Sequence, residues 1–185
     1  MPHATLKILF LLCGIFAGWA SAYYFIEAFG STVIAGKQQW RKWDVSAGKI
    51  SNPYALAHFL LAGKIPPAQS LFNIYSSGHD NEGNILQADC TYAVSVLDFN
   101  VRWWSLSLTP SNASDPTATP VISSDEIVRG GDGSMIISVA KHPIPGNWVR
   151  PATNGALEIQ LLLSNDGQLT TTGTPILPSV QRVSC

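Results

Sequence analysis

Three kinds of hydrophobic pattern follow one another along this chain. The first is an unbroken apolar run over 8–26, 19 residues without a charge, preceded by Lys7 and followed by Glu27. As a helix it spans roughly 28 Å, close to the hydrocarbon thickness of a bilayer. The second is a short amphipathic pattern that begins at Asn52-Pro53. Asn52 suits an N-cap, Pro53 the first helical position and Gly63 the exit. Tyr54, Leu56, Ala57, Leu60 and Leu61 are expected to form its buried face, with His58 beside them as a packed or solvent-facing histidine. The third pattern is a series of short β-rich segments over 70–76, 88–97, 101–108, 135–140 and 157–163. In the second of these, Cys90, Tyr92 and Val94 share one face. Turn-forming clusters over 79–84, 110–120, 130–133 and 143–146 separate the segments. A further short helix is expected over 123–128, capped by Ser124. Short strands at this spacing predict a mainly β, antiparallel β-sandwich with a short helix, preceded by an N-terminal transmembrane helix. The corresponding division is an anchor over 1–26, a linker and lead-in over 27–50, and a β-sandwich over 51–185.

The apolar run has two readings. Lys7, the run itself and Ala20-Ser21-Ala22 resemble a signal peptide with a small-residue cleavage site. Tyr23, Tyr24, Phe25 and Ile26 continue the run past that site, however, and the tyrosines suit the interfacial belt of a retained helix. A retained single-pass anchor is the expectation. Gly14, Gly18 and Ala22 repeat every four residues and could admit a second membrane helix closely. Trp40 and Trp43 flank Arg41 and Lys42, near enough to the membrane to reach lipid headgroups, although packing against the domain is the favoured role.

The charge around the run and the cysteines point to opposite orientations. Lys37, Arg41 and Lys42 follow the span, so the positive-inside rule taken literally puts the domain in the cytoplasm. Large domains can cross regardless of such charges. Of the three cysteines, Cys13 lies inside the apolar run, leaving Cys90 and Cys185 as an even pair. A bridge between them would staple the tail to a mid-chain strand, against the alternative of two unrelated thiols. With the signal-like start, this favours a bacterial inner-membrane protein whose C-terminal domain lies in the periplasm.

Composition narrows the function more by exclusion than by signature. The chain has 185 residues, 46% of them hydrophobic and 12% charged, with a formal net charge of −1. That balance lacks the basic stripe of a nucleic-acid binder, and no nucleic-acid partner is expected. It is also too apolar for a disordered chain. There is no Gly-x-Ser-x-Gly, phosphate-binding loop, dinucleotide fingerprint or His-Glu-x-x-His, and the four histidines have no metal-ligand spacing. Asp80-Asn81-Glu82-Gly83-Asn84 is rich in oxygen ligands, but Thr91 stands where a calcium loop needs its twelfth-position glutamate. A hairpin turn is expected there. No catalytic residue, metal or cofactor is expected from these features. Trp103 and Trp104 should point to opposite sides of a strand, leaving one free for stacking unless it is covered.

Several segments, taken in order, resemble the small membrane-anchored members of the bacterial domain of unknown function 1214 family. They are Cys90-Thr91-Tyr92, then Arg102-Trp103-Trp104-Ser105-Leu106-Ser107-Leu108, then Ser123-Ser124-Asp125-Glu126-Ile127-Val128-Arg129 with Asp132-Gly133-Ser134, and Pro145-Gly146-Asn147-Trp148-Val149. The resemblance implies a jelly-roll-like sandwich on a membrane or exported protein and carries no catalytic mechanism. This chain departs from the pattern at Leu162 and Ser164, where the family's late strand carries an Arg and a Tyr. Gly146, Asn147 and Trp148 have ready scaffolding roles in a turn. The alternative is a functional surface formed by Arg102, Trp104, His142, Asn147 and Trp148.

Three functions follow. The first is a membrane-anchored, non-catalytic periplasmic domain acting through protein association, as an accessory subunit of a larger inner-membrane complex whose other membrane subunits meet the N-terminal helix. The second is a module that binds an envelope glycan or lipid. The third is a cryptic hydrolase, which would need a pocket where His142 or two carboxylates converge.

Overall fold

The computed structural model describes residues 2–34, 36–43, 52–61, 63, 65, 68, 71–97, 99, 101–111, 119–152, 154–164 and 176–185. It begins with helix α1 (Pro2–Phe29) and strands β1 (Ser31–Val33) and β2 (Arg41–Trp43). Helix α2 (Pro53–Leu61) follows, then β3 (Phe72–Ser77), β4 (Thr91–Val96), β5 (Trp104–Pro110) and β6 (Val121–Ser123). Strands β7 (Met135–Val139), β8 (Asn147–Val149), β9 (Leu157–Ser164) and β10 (Ser179–Ser184) complete the order. The fold is mainly antiparallel β with two helices, as the sequence pattern predicts.

One sheet has six strands in the order β1-β2-β3-β9-β5-β6, and the other has four in the order β10-β4-β7-β8. The β7–β8 pair is parallel and the other described pairs are antiparallel. Alternation decides which side chains meet. Leu157, Ile159, Leu161 and Leu163 of β9 face inward with Trp104, Leu106 and Leu108 of β5. They join Tyr92, Val94 and Val96 of β4, Ile137 and Val139 of β7, and Val180 of β10 in one buried cluster. That cluster makes the two sheets a sandwich.

The outer face of the six-stranded sheet carries a second, smaller cluster. There Trp43 and Ile74, which are directly paired, pack with Ala55 and Phe59 of α2 and with Leu162. The buried stripe of α2 is therefore Ala55 and Phe59. Tyr54, Leu60 and Leu61, expected to face inward, are exposed. Nearly every residue of α2 is apolar, so periodicity could not choose between its faces. Close approach chose instead. A Cβ added to Gly30 would stand 2.5 Å from the Ile26 carbonyl oxygen and 3.2 Å from the Trp43 ring, so a larger residue would not fit at this crossing without a shift.

Two further expectations change. The sheet begins at Ser31 rather than after residue 50, because β1 pairs with β2 and β2 with β3, and Trp40 and Trp43 are buried. Strands of three residues are too short to show a period of two. The helix expected over 123–128 is a turn, with Glu126 N bonded to Ser123 O at 3.1 Å. Parts of the lead-in (44–50) and of the 110–120 turn lie outside the described residues.

α1 carries the apolar run. Residues Ala4–Phe29 form a stretch long and apolar enough to cross a membrane, with mean hydropathy 1.8, and most of it is exposed. Its last turns are tied to the domain. The Phe29 ring lies 6.0 Å from that of Tyr54, and Asn52 Nδ2 donates to Phe29 O at 2.6 Å.

Candidate functional site

Where α1 meets the domain, three elements bring their polar side chains into one cleft. Glu27 is the first charge after the apolar run, and its two carboxylate oxygens are divided between two partners. Oε2 lies 3.6 Å from Arg41 Nη1 on β2, and Oε1 lies 3.1 Å from Nδ1 of His58 on α2. Nδ1 is thus the His58 ring nitrogen that faces the carboxylate. The His58 ring stacks on Trp43 at 3.9 Å between centroids. Trp43 Nε1 in turn donates to Ser76 Oγ on β3 at 2.9 Å. The cleft encloses about 230 Å³ and is also lined by Tyr23, His79 and Glu158. Sequence reasoning missed this grouping because its members are spread over separate elements and belong to no motif. The one signal was the position of Glu27 at the end of the span.

A second cavity of about 500 Å³ lies on the same outer sheet face, beside α2. Its floor follows from strand alternation: Ser105, Ser107 and Thr109 of β5 face outward next to Gln160 and Leu162 of β9. Phe59, Ile65 and Ile74 supply an apolar flank. Hydroxyl and amide groups beside apolar walls can hold a neutral, amphipathic molecule. Among the described residues, no three His, Cys, Asp or Glu side chains converge as a metal-binding group.

The expected surface of Arg102, Trp104, His142, Asn147 and Trp148 is not one surface. Trp104 is 3% exposed and packs edge-on against Phe99 inside the sandwich, because the even positions of β5 face the core. Trp103 points the other way and is half-buried against Phe72. Asn147 is buried as well. Its side chain donates to Val128 O (2.8 Å) and Ile136 O (3.0 Å), while its oxygen accepts from Val128 N at 2.7 Å. Half-buried Trp148 donates its Nε1 proton to Ala140 O at 2.9 Å. His142 is exposed in the connection between β7 and β8. Arg102 is exposed before β5, in the other sheet. Gly146 has φ +96°, a conformation that L side chains rarely adopt, so the Gly-Asn-Trp turn reads as scaffolding.

The remaining site residues fall as follows. Gly14, Gly18 and Ala22 lie exposed along α1, and among the described residues no other part of the chain comes within 4 Å of a Cβ built at either glycine. Cys90 and Cys185 bring their sulfurs to 2.10 Å, disulfide-bonding distance. Asp80, in the oxygen-rich turn, is committed to the protein. It accepts from the amides of Glu82 and Asn84 and pairs with Arg182 at 3.0 Å. Leu162 and Ser164 are structural too. Leu162 packs under α2, and Ser164 Oγ accepts from Trp103 N at 3.0 Å.

No protein-family model matches the chain, and no curated protein matches it. Among solved structures, the VPA0106 protein from Vibrio parahaemolyticus aligns over 90% of this chain and 43% of its own, with a TM-score of 0.58 and 12% identity. An uncharacterized protein from Burkholderia cenocepacia aligns over 60% of this chain and 29% of its own, with a TM-score of 0.42 and 18% identity. The chain thus spans less than half the length of either structure. At such identity, the likeness to the Vibrio protein establishes shared architecture and nothing of activity.

Proposed function

We propose that this protein is a membrane-anchored, non-catalytic domain that acts by associating with other proteins. In this reading it is an accessory subunit of a larger bacterial inner-membrane complex, with its C-terminal domain in the periplasm. Membership of the domain of unknown function 1214 family belongs to the same reading and rests on the ordered motifs of the sequence. The observation that carries it is the junction at Glu27. An apolar helix with an open row at Gly14, Gly18 and Ala22 is held to the domain by ion pairing to Arg41, by His58, and by the Phe29–Tyr54 ring contact. Glu27 and Phe29 lie beyond the Ala20-Ser21-Ala22 site, so the junction belongs to the domain whether or not the run is cleaved; with the run retained, it holds the domain in the defined pose that a subunit docking through its helix needs. The cysteine pair supports an oxidising compartment.

The test is purification from native membranes in gentle detergent, followed by mass spectrometry of co-migrating proteins. A stoichiometric membrane partner that is lost on Gly14→Leu and Gly18→Leu substitution is the expected result. A lone monomer would overturn the subunit reading. The cavity lined by Ser105, Ser107, Thr109 and Gln160 favours a second reading, an envelope glycan- or lipid-binding module. Retention on immobilised envelope glycan or lipid, abolished by Gln160→Leu, is the result expected of that reading.

A further inference from the structure

We propose that the outward face of α2 lies in the bilayer interface, as a second membrane contact beside α1. The proposal rests on the anchored reading of α1 and adds to it a surface and a pose. At 100° per residue, Pro53, Tyr54, Ala57, Leu60 and Leu61 occupy one arc of about 120° on α2. This arc contains no charged residue. Leu60 is 64% exposed and Leu61 69% exposed, and Ile65 just beyond the helix is exposed as well. The opposite face is already occupied, since Ala55 and Phe59 pack on Trp43 and Ile74 of the sheet. The exposed leucines therefore cannot turn inward without emptying that cluster.

Continuity with α1 identifies lipid as the occupant. Phe25 and Phe29, one turn apart on α1, have ring centroids 5.5 Å apart, and Phe29 lies 6.0 Å from Tyr54 on α2. An aromatic line thus runs from the membrane span onto the outward arc of α2 without crossing a charge. Glu27 points away from that line and is engaged by Arg41 and His58. Aromatic residues at the end of a span and an uncharged helical face beside it have the chemistry of the headgroup–acyl boundary. In this pose, the Glu27 cleft opens at the membrane surface.

The test uses the full chain with Cys13→Ala, reconstituted in phosphatidylethanolamine–phosphatidylglycerol vesicles, with the Cys90–Cys185 pair left intact. An environment-sensitive fluorophore is attached singly to Leu61→Cys, Leu60→Cys, Ile15→Cys in α1, and Ile136→Cys. Ile136 lies on the outer face of the four-stranded sheet, across the sandwich from α2. Nitroxide-labelled lipids serve as quenchers. Blue-shifted emission and quenching are expected at positions 15, 60 and 61, with neither at 136. Quenching at 15 but not at 60 and 61 would overturn the inference and leave the anchor standing. Blue-shifted but unquenched emission at 60 and 61 would place a protein on this face and would also overturn it. Absence of quenching at 15 would overturn the anchored reading itself.

Discussion

Asp80 shows how one side chain can tie a turn to a distant strand. It is 1% exposed. Burial pushes its pKa up, but the Asn84 and Glu82 amides, the Asn84 side chain and the Arg182 guanidinium together outweigh this and leave it below the ordinary carboxylate value. Since the folded-state value lies below the unfolded one, about 3.9, the stabilisation is complete above that pH and is lost as pH falls through the folded-state value. Unfolding titrations are therefore expected to show declining stability below about pH 4. Asp80→Asn should lower stability at pH 7 by about 1–3 kcal/mol and flatten the acid limb. Asn147→Ala should also cost about 1–3 kcal/mol, because it leaves buried backbone groups of Val128 and Ile136 without partners. For Asn147 the sequence suggested a bond within a local turn, whereas from the start of β8 its side chain bonds Val128 and Ile136, well before it in sequence. The role of Asp80 was legible only in part: its five-residue turn is local, whereas Arg182 reaches it from near the end of the chain.

Among the elements, α2 is the clearest case of a helix whose limits are local and whose orientation is not. Asn52 Oδ1 accepts from Tyr54 N at 3.0 Å, and Gly63 leaves the helix with φ +64°, as their positions predict. Asn52→Ala should cost about 1 kcal/mol. The faces can be distinguished by substitution. Phe59→Ala should destabilise the detergent-solubilised protein by about 3 kcal/mol, because it opens a cavity against Trp43 and Ile74. Leu61→Ala should change it by less than about 0.5 kcal/mol. Equal effects at the two positions would contradict the observed packing. The strands divide similarly. Long ones such as β9 declare their inner face by alternation, whereas the three-residue β2 acquires its from pairing with β3, and β1 joins the sheet through β2.

For the whole molecule, the Cys90–Cys185 pair spans a sequence separation of 95 residues and joins the ends of two neighbouring strands, β4 and β10. Because β10 is an edge strand, paired with β4 alone, the bridge would fasten a strand that has one neighbour in the sheet. Peptide mapping without reductant should recover the two cysteines linked. Reduction should lower stability by about 4–5 kcal/mol in the chain-entropy account of so long a loop. Free thiols at both positions in material from the cell would remove this support for the periplasmic assignment.

Local rules sufficed wherever one residue's neighbours in sequence are also its neighbours in space. They account for the apolar helix, the cap and exit of α2, the 79–84 turn and the longer strands, and hence for a mainly β chain with an apolar N-terminal helix. The junction at Glu27 was decided elsewhere. Its members come from α1, β2 and α2, and they meet because Gly30 and Ala55 allow α2 to lie close against Trp43. The cavity beside α2 exists because β5 and β9, about fifty residues apart, pair with Ser107 opposite Gln160. Hydrophobic periodicity records which residues avoid water. Which of two apolar faces is covered, and by what, depends on the shape of a partner distant in sequence, so only the tertiary structure decided it.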